Sequence, residues 1–262
     1  AGSRRTRAGD QGAPRVNDEQ LLRYSRQIML PEVDVAGQTK LLAARVLIVG
    51  MGGRGSPLAM SLASAGVGTL VIADFDTVDL SNLQRQIIHR SGAIGELKVV
   101  SASRTLKELN PDVHLETIAE RLSPTRLQDE VAACDLVLDA TDNFSTRYAI
   151  SDACWNTRTP LVSGAAIRWE GQVAVFDPRR EDSPCYRCLY AEGDDESLSC
   201  AENGVIAPLV GIIGTCQALE AIKLLSGVGE SLTGYVLYFD AKRMDWRKLI
   251  LSRNPSCPTC GH

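Results

Sequence analysis

The sequence lacks the excess of positive charge expected of a protein that follows a nucleic-acid backbone. Its 28 lysines and arginines are outnumbered by 32 aspartates and glutamates, which gives a formal net charge of −4. Residues 1–16 hold four arginines against one aspartate, so this segment carries +3 and the rest of the chain carries −7. A broad basic surface is therefore excluded, and we expect no nucleic-acid partner.

The sequence also lacks a long unbroken apolar run. Its most apolar stretch, residues 204–219, is interrupted by Pro208, Gly211 and Gly214, whereas a bilayer span needs about 20 apolar residues in succession. The N-terminus has no apolar signal segment, so we expect no membrane partner. Residues 1–17 are interpreted as a flexible tail.

Strand-like and helix-like segments alternate through the first 160 residues. The apolar run at 45–50 is typical of a strand buried on both faces, and a glycine turn and a small-residue helix separate it from a strand at 69–74. Further elements are expected at 18–29 (helix, followed by a linker with Pro31 and Gly37), 94–109 (helix), 113–120 (strand) and 135–143 (strand). This alternation predicts an α/β fold with a doubly wound, Rossmann-like, mostly parallel sheet.

The pattern changes after residue 160. Its elements are two strand-like runs within 160–177, a polar acidic loop at 181–204, a buried helix at 205–225 and a final hairpin from 234–240 and 246–252. We expect these antiparallel strands to extend the first sheet, so that residues 18–262 form a single domain.

A glycine motif follows the first strand. Gly50, Gly52 and Gly55 form the G-x-G-x-x-G pattern that lets a backbone and a helix N-terminus approach a phosphate. Asp74 ends the next strand, where a carboxylate can accept hydrogen bonds from ribose hydroxyls. The motif therefore predicts a nucleotide site, and the alternative is a tight turn made for helix packing.

Polar residues are concentrated after Asp74. Two cations, Arg85 and Lys98, and two amides, Asn82 and Gln84, lie within a short segment. Such a group suits a charged triphosphate, since phosphate oxygens need cationic and hydrogen-bonding partners. The alternative is a solvated, charged helix face.

Asp142 and Asn143 end the fourth predicted strand, at the edge where open α/β sheets bind ligands. A carboxylate there can hold magnesium beside substrate phosphates. The alternative for Asp142 is a cap on the following helix. Asp139 lies within the strand and is interpreted as structural.

Four of the eight cysteines form two C-x-x-C pairs, Cys185 with Cys188 and Cys257 with Cys260. Four thiolates satisfy a closed tetrahedral zinc site, which would clip the C-terminal tail onto the 185–188 loop. The alternative is a pair of redox dithiols. The thiols also favour a reducing, cytoplasmic compartment.

The other four cysteines are single. Cys200 lies in a polar loop where a reacting group can reach it, so it is a candidate nucleophile, although the acidic residues around it oppose thiolate formation. Cys134, Cys154 and Cys216 have apolar neighbours and are expected in the core.

In these motifs the sequence resembles the bacterial ubiquitin-activating-enzyme-like adenylyltransferases, over residues 18 to 262. It is most similar to their molybdopterin-synthase branch, with the thiazole-biosynthesis branch next. The segments that carry the resemblance are RYSRQIML (23–30), GMGGRGSP (50–57), DFDTVDLSNLQRQ (74–86), GELK (95–98), LDATDN (138–143), SGAAIRWEGQ (163–172), PCYRC (184–188) and NPSCPTCG (254–261).

The resemblance implies ATP-dependent adenylation of the C-terminal glycine of a ubiquitin-like sulfur-carrier protein ending in Gly-Gly, with release of pyrophosphate, in molybdenum cofactor biosynthesis. The same chemistry on the thiazole-pathway carrier is the alternative. A non-catalytic binder of ubiquitin-like tails is a remote one, and no hydride-transfer site is visible for a nicotinamide enzyme. Residues of about 40–160 would bind nucleotide, and those of about 161–262 would bind the carrier and zinc.

The resemblance also implies roles for single residues. Gly53 and Asp74 bind nucleotide, Lys98 contacts phosphate, and Asp142 with Asn143 beside it serves magnesium and catalysis. Further residues implied to line the nucleotide are Ser81, Asn82, Leu83, Gln84 and Arg85. The four paired cysteines match zinc ligands.

Three implications remain. Arg26 matches an arginine that enters the active site of the neighbouring subunit, which predicts a homodimer. Arg54 stands where the family turn usually has leucine, and a cation there would either add to phosphate binding or crowd the pocket. The sequence shows no sulfurtransferase segment after the cysteine tail, so we expect a separate sulfurtransferase as the sulfur donor.

Overall fold

The structure is a computed structural model that describes residues 16–191 and 204–261. The strands are β1 (Arg45–Val49), β2 (Thr69–Ala73), β3 (His114–Ile118), β4 (Leu136–Asp139), β5 (Leu161–Ile167), β6 (Glu170–Phe176), β7 (Tyr235–Asp240) and β8 (Asp245–Ile250). The α-helices are α1 (Asp18–Arg23), α2 (Ser25–Ile28), α3 (Asp34–Ala43), α4 (Gly55–Ser64), α5 (Lys98–Leu109), α6 (Pro124–Ala132), α7 (Phe144–Thr157), α8 (Tyr186–Leu189) and α9 (Ala207–Ser226).

All eight strands join one sheet in the order β3-β2-β1-β4-β5-β6-β7-β8. The first five in this order are parallel, and β5 through β8 pair antiparallel. The predicted fold class is therefore confirmed, since the antiparallel strands of the second half extend the parallel sheet of the first.

Strand β1 shows why its sequence is a continuous apolar run. Val46 and Ile48 belong to the core that includes residues of α4, α5 and α9. Leu47 and Val49 belong to the core that includes residues of α6 and α7. Alternate side chains of a strand point to opposite faces, so a strand covered on both faces is apolar at every position.

The N-terminal segment differs from its prediction. The helix expected over 18–29 is two short helices separated at Tyr24, and Asn17, not Asp18, caps the first. Tyr24 is buried, and its hydroxyl accepts a hydrogen bond from Asn110 Nδ2 at 2.9 Å. The linker expected around Gly37 is wrong, because α3 occupies most of it and buries Gln38.

Helix α9 is long and apolar enough to cross a membrane by length and composition alone. About half of its apolar stretch is buried inside the fold, and Leu209, Ile213 and Ala221 are core residues. Burial against the sheet therefore accounts for the apolar character of this helix.

The order of strands reverses direction at β1, because β2 lies on one side of it and β4 on the other. After β1 the chain continues to β2 on one side, and after β4 it continues to β5 on the other, which leaves a crevice at the carboxyl ends of β1 and β4. The segments that follow these two strands contain Gly50 and Asp142. The fold thus brings the two predicted ligand-binding segments together.

Candidate active site

A cavity of about 330 Å³ lies at the carboxyl ends of β1, β2 and β4. The predicted residues that line it are Gly50, Gly52, Gly53, Asp74, Arg85, Lys98, Asp142 and Asn143. They come from four separate segments of the sequence, so the fold assembles the polar groups that the sequence predicted for one nucleotide site.

Gly50 and Gly55 of the glycine turn make close backbone contacts that leave no room for a side chain. Gly50 has φ of +97°, and a Cβ on it would lie 2.9 Å from the carbonyl oxygen of Ala140. A Cβ on Gly55 would clash with the carbonyl oxygen of Gly50. Gly55 does not line the cavity, so for this residue the alternative of a turn made for helix packing applies. Gly52 and Gly53 do line the cavity.

Asp74 is oriented by backbone donors. Its Oδ2 accepts from the amide of Met51 at 2.7 Å, and its Oδ1 accepts from the amide of Asp76 at 2.9 Å. Each carboxylate oxygen has a second lone pair. The side chain can therefore accept hydrogen bonds from two ribose hydroxyls while it stays fixed to the glycine turn.

Lys98 is the first residue of α5 and is buried at the cavity wall. Its Nζ lies 2.9 Å from Oδ2 of Asp76, whose side chain is 53% exposed. Because Lys98 is buried, the alternative of a solvated, charged helix face does not describe it. Asp76, which the sequence reasoning missed, is instead the group with which a phosphate would compete for Lys98.

The predicted nucleotide-lining residues 81–84 lie elsewhere. Ser81, Asn82, Leu83 and Gln84 are absent from the described residues that line the cavity. Asp79 accepts hydrogen bonds from the amide and hydroxyl of Ser81, and Asn82 Oδ1 accepts from the amide of Asp79. These polar groups close a turn, whereas Arg85 reaches the cavity.

Two neighbouring residues after β4 have different roles: Asn143 caps a helix, and Asp142 faces the cavity. Asn143 Oδ1 accepts from the amide of Thr146 at 2.8 Å and caps α7. The helix cap that was the alternative for Asp142 is therefore made by its neighbour. Asp142 is exposed and faces the cavity, where a carboxylate suits a magnesium ion.

Asp139 is structural, as the sequence predicted. Its carboxylate is buried and accepts from the amide and hydroxyl of Thr141 and from the hydroxyl of Ser163 at 2.6–2.9 Å. Arg147 Nε lies 3.8 Å away. Through its hydrogen bonds to Thr141, Asp139 stabilises the turn that precedes Asp142.

Several cavity residues had no recognised signal in the sequence. Gln86 is 4% exposed, and its Oε1 has no hydrogen-bond partner among the described residues. The guanidinium of Arg121 lies 4.4 Å from the ring centre of Phe75. Leu122, Leu127, Ala149 and Ile150 form one part of the cavity's apolar lining. Gln86 is the last residue of the polar segment 74–86, and this position was the only sequence signal that could have indicated it.

The two C-x-x-C pairs form one cluster, with all four sulfurs within 4.8 Å of one another. Cys185 Sγ lies 3.4 Å from that of Cys257 and 4.0 Å from that of Cys188, and Cys188 lies 3.3 Å from Cys260. Two sulfurs of a tetrahedral zinc site are about 3.8 Å apart. The cluster therefore has the dimensions of a zinc site that joins the tail to the first turn of α8, where the sequence predicted a loop.

The remaining predicted residues are placed outside the cavity or outside the described ranges. Arg26 is exposed on α2 and is not among the described residues that line the cavity. Cys200 lies outside the described residues. Burial raises the pKa of Cys134 to about 12 and that of Cys154 well above its usual value, as expected of inert core thiols.

His89 supports the glycine turn from beneath. Its Nε2 lies 3.0 Å from the carbonyl oxygen of Met51, and its Nδ1 lies 2.9 Å from Oγ of Ser101. Because a carbonyl only accepts, Nε2 carries the proton and Nδ1 accepts from the serine hydroxyl in the neutral ring. Burial, with a contribution from Lys98, lowers the pKa of His89 below its usual 6.5.

We expect His89 to make the protein less stable at mildly acidic pH. The unfolded chain binds a proton at this residue before the folded protein does, so the free energy of unfolding should fall as pH decreases from about 7 to about 5. Urea unfolding across this range should show a smaller decrease for His89→Gln than for the wild type. His114→Gln, which removes an exposed histidine, is the control; an equal decrease in all three proteins would contradict the assignment.

The sequence of the chain matches a known family and two named relatives. The ThiF family matches residues 24–259. The chain is 46% identical to the molybdopterin-synthase adenylyltransferase of Salmonella typhimurium, over 94% of this chain and 98% of that protein. It is 48% identical to the sulfur carrier protein ThiS adenylyltransferase of Escherichia coli, over 94% of this chain and 97% of that protein.

The fold is also found among solved structures. A crystal structure of E. coli MccB with ATP superposes with a TM-score of 0.80, covering 92% of this chain and 75% of MccB at 23% identity. At this identity the likeness concerns the fold. Together with the match over residues 24–259 and the high identity to two full-length relatives, it leads to one conclusion: the chain belongs to the ThiF family.

Proposed function

We propose that this protein adenylates the C-terminal glycine of a ubiquitin-like sulfur-carrier protein that ends in Gly-Gly, with ATP as the second substrate. The observation that carries the proposal is the single cavity that joins the glycine turn, Arg85, Lys98 and Asp142. The names of the two relatives support the same activity. Their identities to this chain are nearly equal, so molybdopterin-type and thiazole-type carriers are both tested below.

The lining of the cavity gives the nucleotide one orientation. The base occupies the apolar part formed by Leu122, Leu127 and Ile150, because an adenine ring has little to gain from charged partners. Asp74 then receives the ribose hydroxyls. The phosphates follow the glycine turn toward Arg85 and Lys98, the polar part of the same cavity.

The reaction is an in-line displacement at the α-phosphorus. A carboxylate oxygen of the carrier forms a bond to phosphorus while the bond to the bridging oxygen of pyrophosphate breaks. No general base is required, because a C-terminal carboxylate is already ionised at neutral pH. Negative charge grows on the phosphate oxygens, and Arg85 and Lys98 stabilise it from fixed positions in the cavity wall.

Asp142 is the residue that would hold magnesium. It fits because it faces the cavity, is exposed, and leaves the capping of α7 to Asn143. Magnesium, when bound, neutralises charge on the polyphosphate. The role of Asp142 is thus to supply this carboxylate ligand from the loop that follows β4.

The first experiment is ATP–pyrophosphate exchange with purified protein and either a molybdopterin-type or a thiazole-type carrier ending in Gly-Gly. Exchange should depend on carrier, and Asp142→Ala should lower its rate about 100-fold or more because the variant lacks the carboxylate that would hold magnesium beside the phosphates. Asp182→Ala, which removes an exposed aspartate paired with Arg180, should exchange like the wild type.

Two outcomes would contradict these assignments. A folded Asp142→Ala variant with full exchange would remove this residue from the mechanism. Wild-type protein that binds ATP but exchanges with neither carrier would favour a non-catalytic binder of ubiquitin-like tails.

We further propose that the active enzyme is a homodimer in which Arg26 of one subunit completes the site of the other. Arg26 is exposed on α2, and three apolar side chains near it are more than half exposed: Leu22 at 78%, Met29 at 70% and Leu30 at 52%. Contact with a second copy would cover this apolar surface and carry the guanidinium to the neighbouring cavity.

Mixed dimers test this arrangement. Arg26→Ala and Asp142→Ala should each be inactive alone, but a heterodimer of the two retains one site with both native residues. Co-expression of the variants should therefore restore roughly a quarter of the wild-type exchange rate, if subunits pair at random. An inactive mixture whose heterodimers are demonstrated by mass spectrometry would show that Arg26 does not act across the interface.

We also propose that the four-cysteine cluster holds a structural zinc ion. Its sulfur separations match a tetrahedral site, and Cys185, Cys257 and Cys260 are buried, which closes the site to substrates.

The proposed compartment is cytoplasmic, because the cluster binds metal only while its thiols stay reduced. A separate sulfurtransferase is the proposed sulfur donor, so without one the carrier adenylate should accumulate and be detectable by mass spectrometry.

Metal analysis tests the zinc assignment. Purified protein should contain one zinc ion per chain, and Cys257→Ser should lower both the zinc content and the midpoint of thermal unfolding, since metal binding contributes to folding free energy. Cys134→Ala, which removes a buried cysteine outside the cluster, should keep its zinc. Full zinc content in Cys257→Ser, or a zinc-free wild type isolated without chelator, would contradict the proposal.

A further inference from the structure

Arg54, the departure from leucine in the glycine turn, occupies a defined place between two loops. The residue is 5% exposed and lines the cavity. Its Nη2 donates a hydrogen bond to the carbonyl oxygen of Thr141 at 2.6 Å. The guanidinium therefore spans from the turn after β1 to the turn after β4, on the residue that directly precedes Asp142.

The same carbonyl oxygen accepts from a second arginine. Arg147 donates to Thr141 through Nε at 3.1 Å and Nη2 at 2.6 Å. Arg147 belongs to α7, which continues from the Thr141 turn, so its hydrogen bonds fix the internal shape of that turn. Arg54 comes from the other loop, and its hydrogen bond fixes the position of the turn relative to the glycine motif.

The backbone of Arg54 is itself anchored. Its carbonyl oxygen accepts from the amide of Leu58 in α4 at 3.2 Å. A Cβ on Gly214 of α9 would clash with that oxygen, so the two helices hold the main chain of the turn closely on both sides. Because the backbone of Arg54 is fixed, its side chain can hold the carbonyl group of Thr141 in a fixed position.

We propose that Arg54 is a positioning residue for adenylation, which sets the distance between the glycine turn and Asp142. The inference rests on the proposed function, in which the phosphates bind between these two loops. Charge-assisted hydrogen bonds are the stronger class in proteins, which suits a contact that must hold two loops together. A small misplacement of a group that aligns reacting atoms lowers the rate by up to about 100-fold.

The experiment compares Arg54→Leu and Arg54→Lys with the wild type. For Arg54→Leu we expect the exchange rate at saturating ATP to fall about 10- to 100-fold. We expect the affinity for ATP measured without magnesium to change less than about 3-fold, because the residue acts through Asp142 and not on the phosphates. The ammonium of Arg54→Lys keeps one charged donor and should recover part of the rate.

A carrier-free measurement separates this proposal from the proposed function. Calorimetry should show that magnesium strengthens ATP binding to the wild type more than to Arg54→Leu, because Asp142 is displaced in the variant. Arg104→Leu removes an arginine paired with Glu96 outside the cavity lining and should behave like the wild type in both assays. Exchange activity of the wild type tests the proposed function by itself.

Three results would overturn the role of Arg54. One is an Arg54→Leu variant with wild-type exchange and wild-type magnesium dependence. Another is weaker magnesium-free ATP binding at an unchanged saturated rate, which would make Arg54 a direct phosphate ligand. Should Arg54→Leu fail to fold, a folded Arg54→Met variant, which also lacks the charged donor, with unaltered rate and magnesium dependence would overturn it equally.

Discussion

The close approach of two loops at the ends of β1 and β4 is the constraint on which the site depends. Gly50 lies so near Ala140 that any side chain would meet a backbone oxygen, and its φ of +97° also favours glycine. This contact is possible because β1 and β4 are neighbours in the sheet although far apart in sequence. Without it, the glycine turn and Asp142 would not face the same ligand.

Beneath these loops, the fold separates the carboxylates that maintain structure from those that face the ligand. Asp139 is surrounded by donors from Thr141, Ser163 and the nearby Arg147, and breaking a buried ion pair of this kind typically costs about 3–5 kcal/mol. Asp142, three residues later, is exposed at the cavity. Because Asp139 ends β4 and Asp142 lies in the turn beyond it, two acidic residues three positions apart have different roles.

Sequence reasoning predicted the parts of this arrangement that depend on local pattern: apolar strands, the glycine turn, Lys98 at a helix start and the cysteine pairs. It missed α3, whose burial of Gln38 and Leu41 depends on tertiary packing. The resemblance implied that Ser81 and Asn82 line the nucleotide, whereas in this structure they close their own turn with Asp79, a contact that no sequence pattern specified. The partnership of Lys98 with Asp76 likewise depends on distances that no sequence pattern specifies.

The N-terminal helices show how an exposed segment can still have a fixed position. Tyr24 precedes α2 and receives a buried hydrogen bond from Asn110, while Gln27 donates to Gln38 at 2.8 Å and to the carbonyl of Ala65 at 3.1 Å. These anchors lie on both sides of Arg26. Since ordering a chain segment costs conformational entropy, these hydrogen bonds meet part of that cost within one subunit and present Arg26 from an ordered backbone, as the proposed dimer requires.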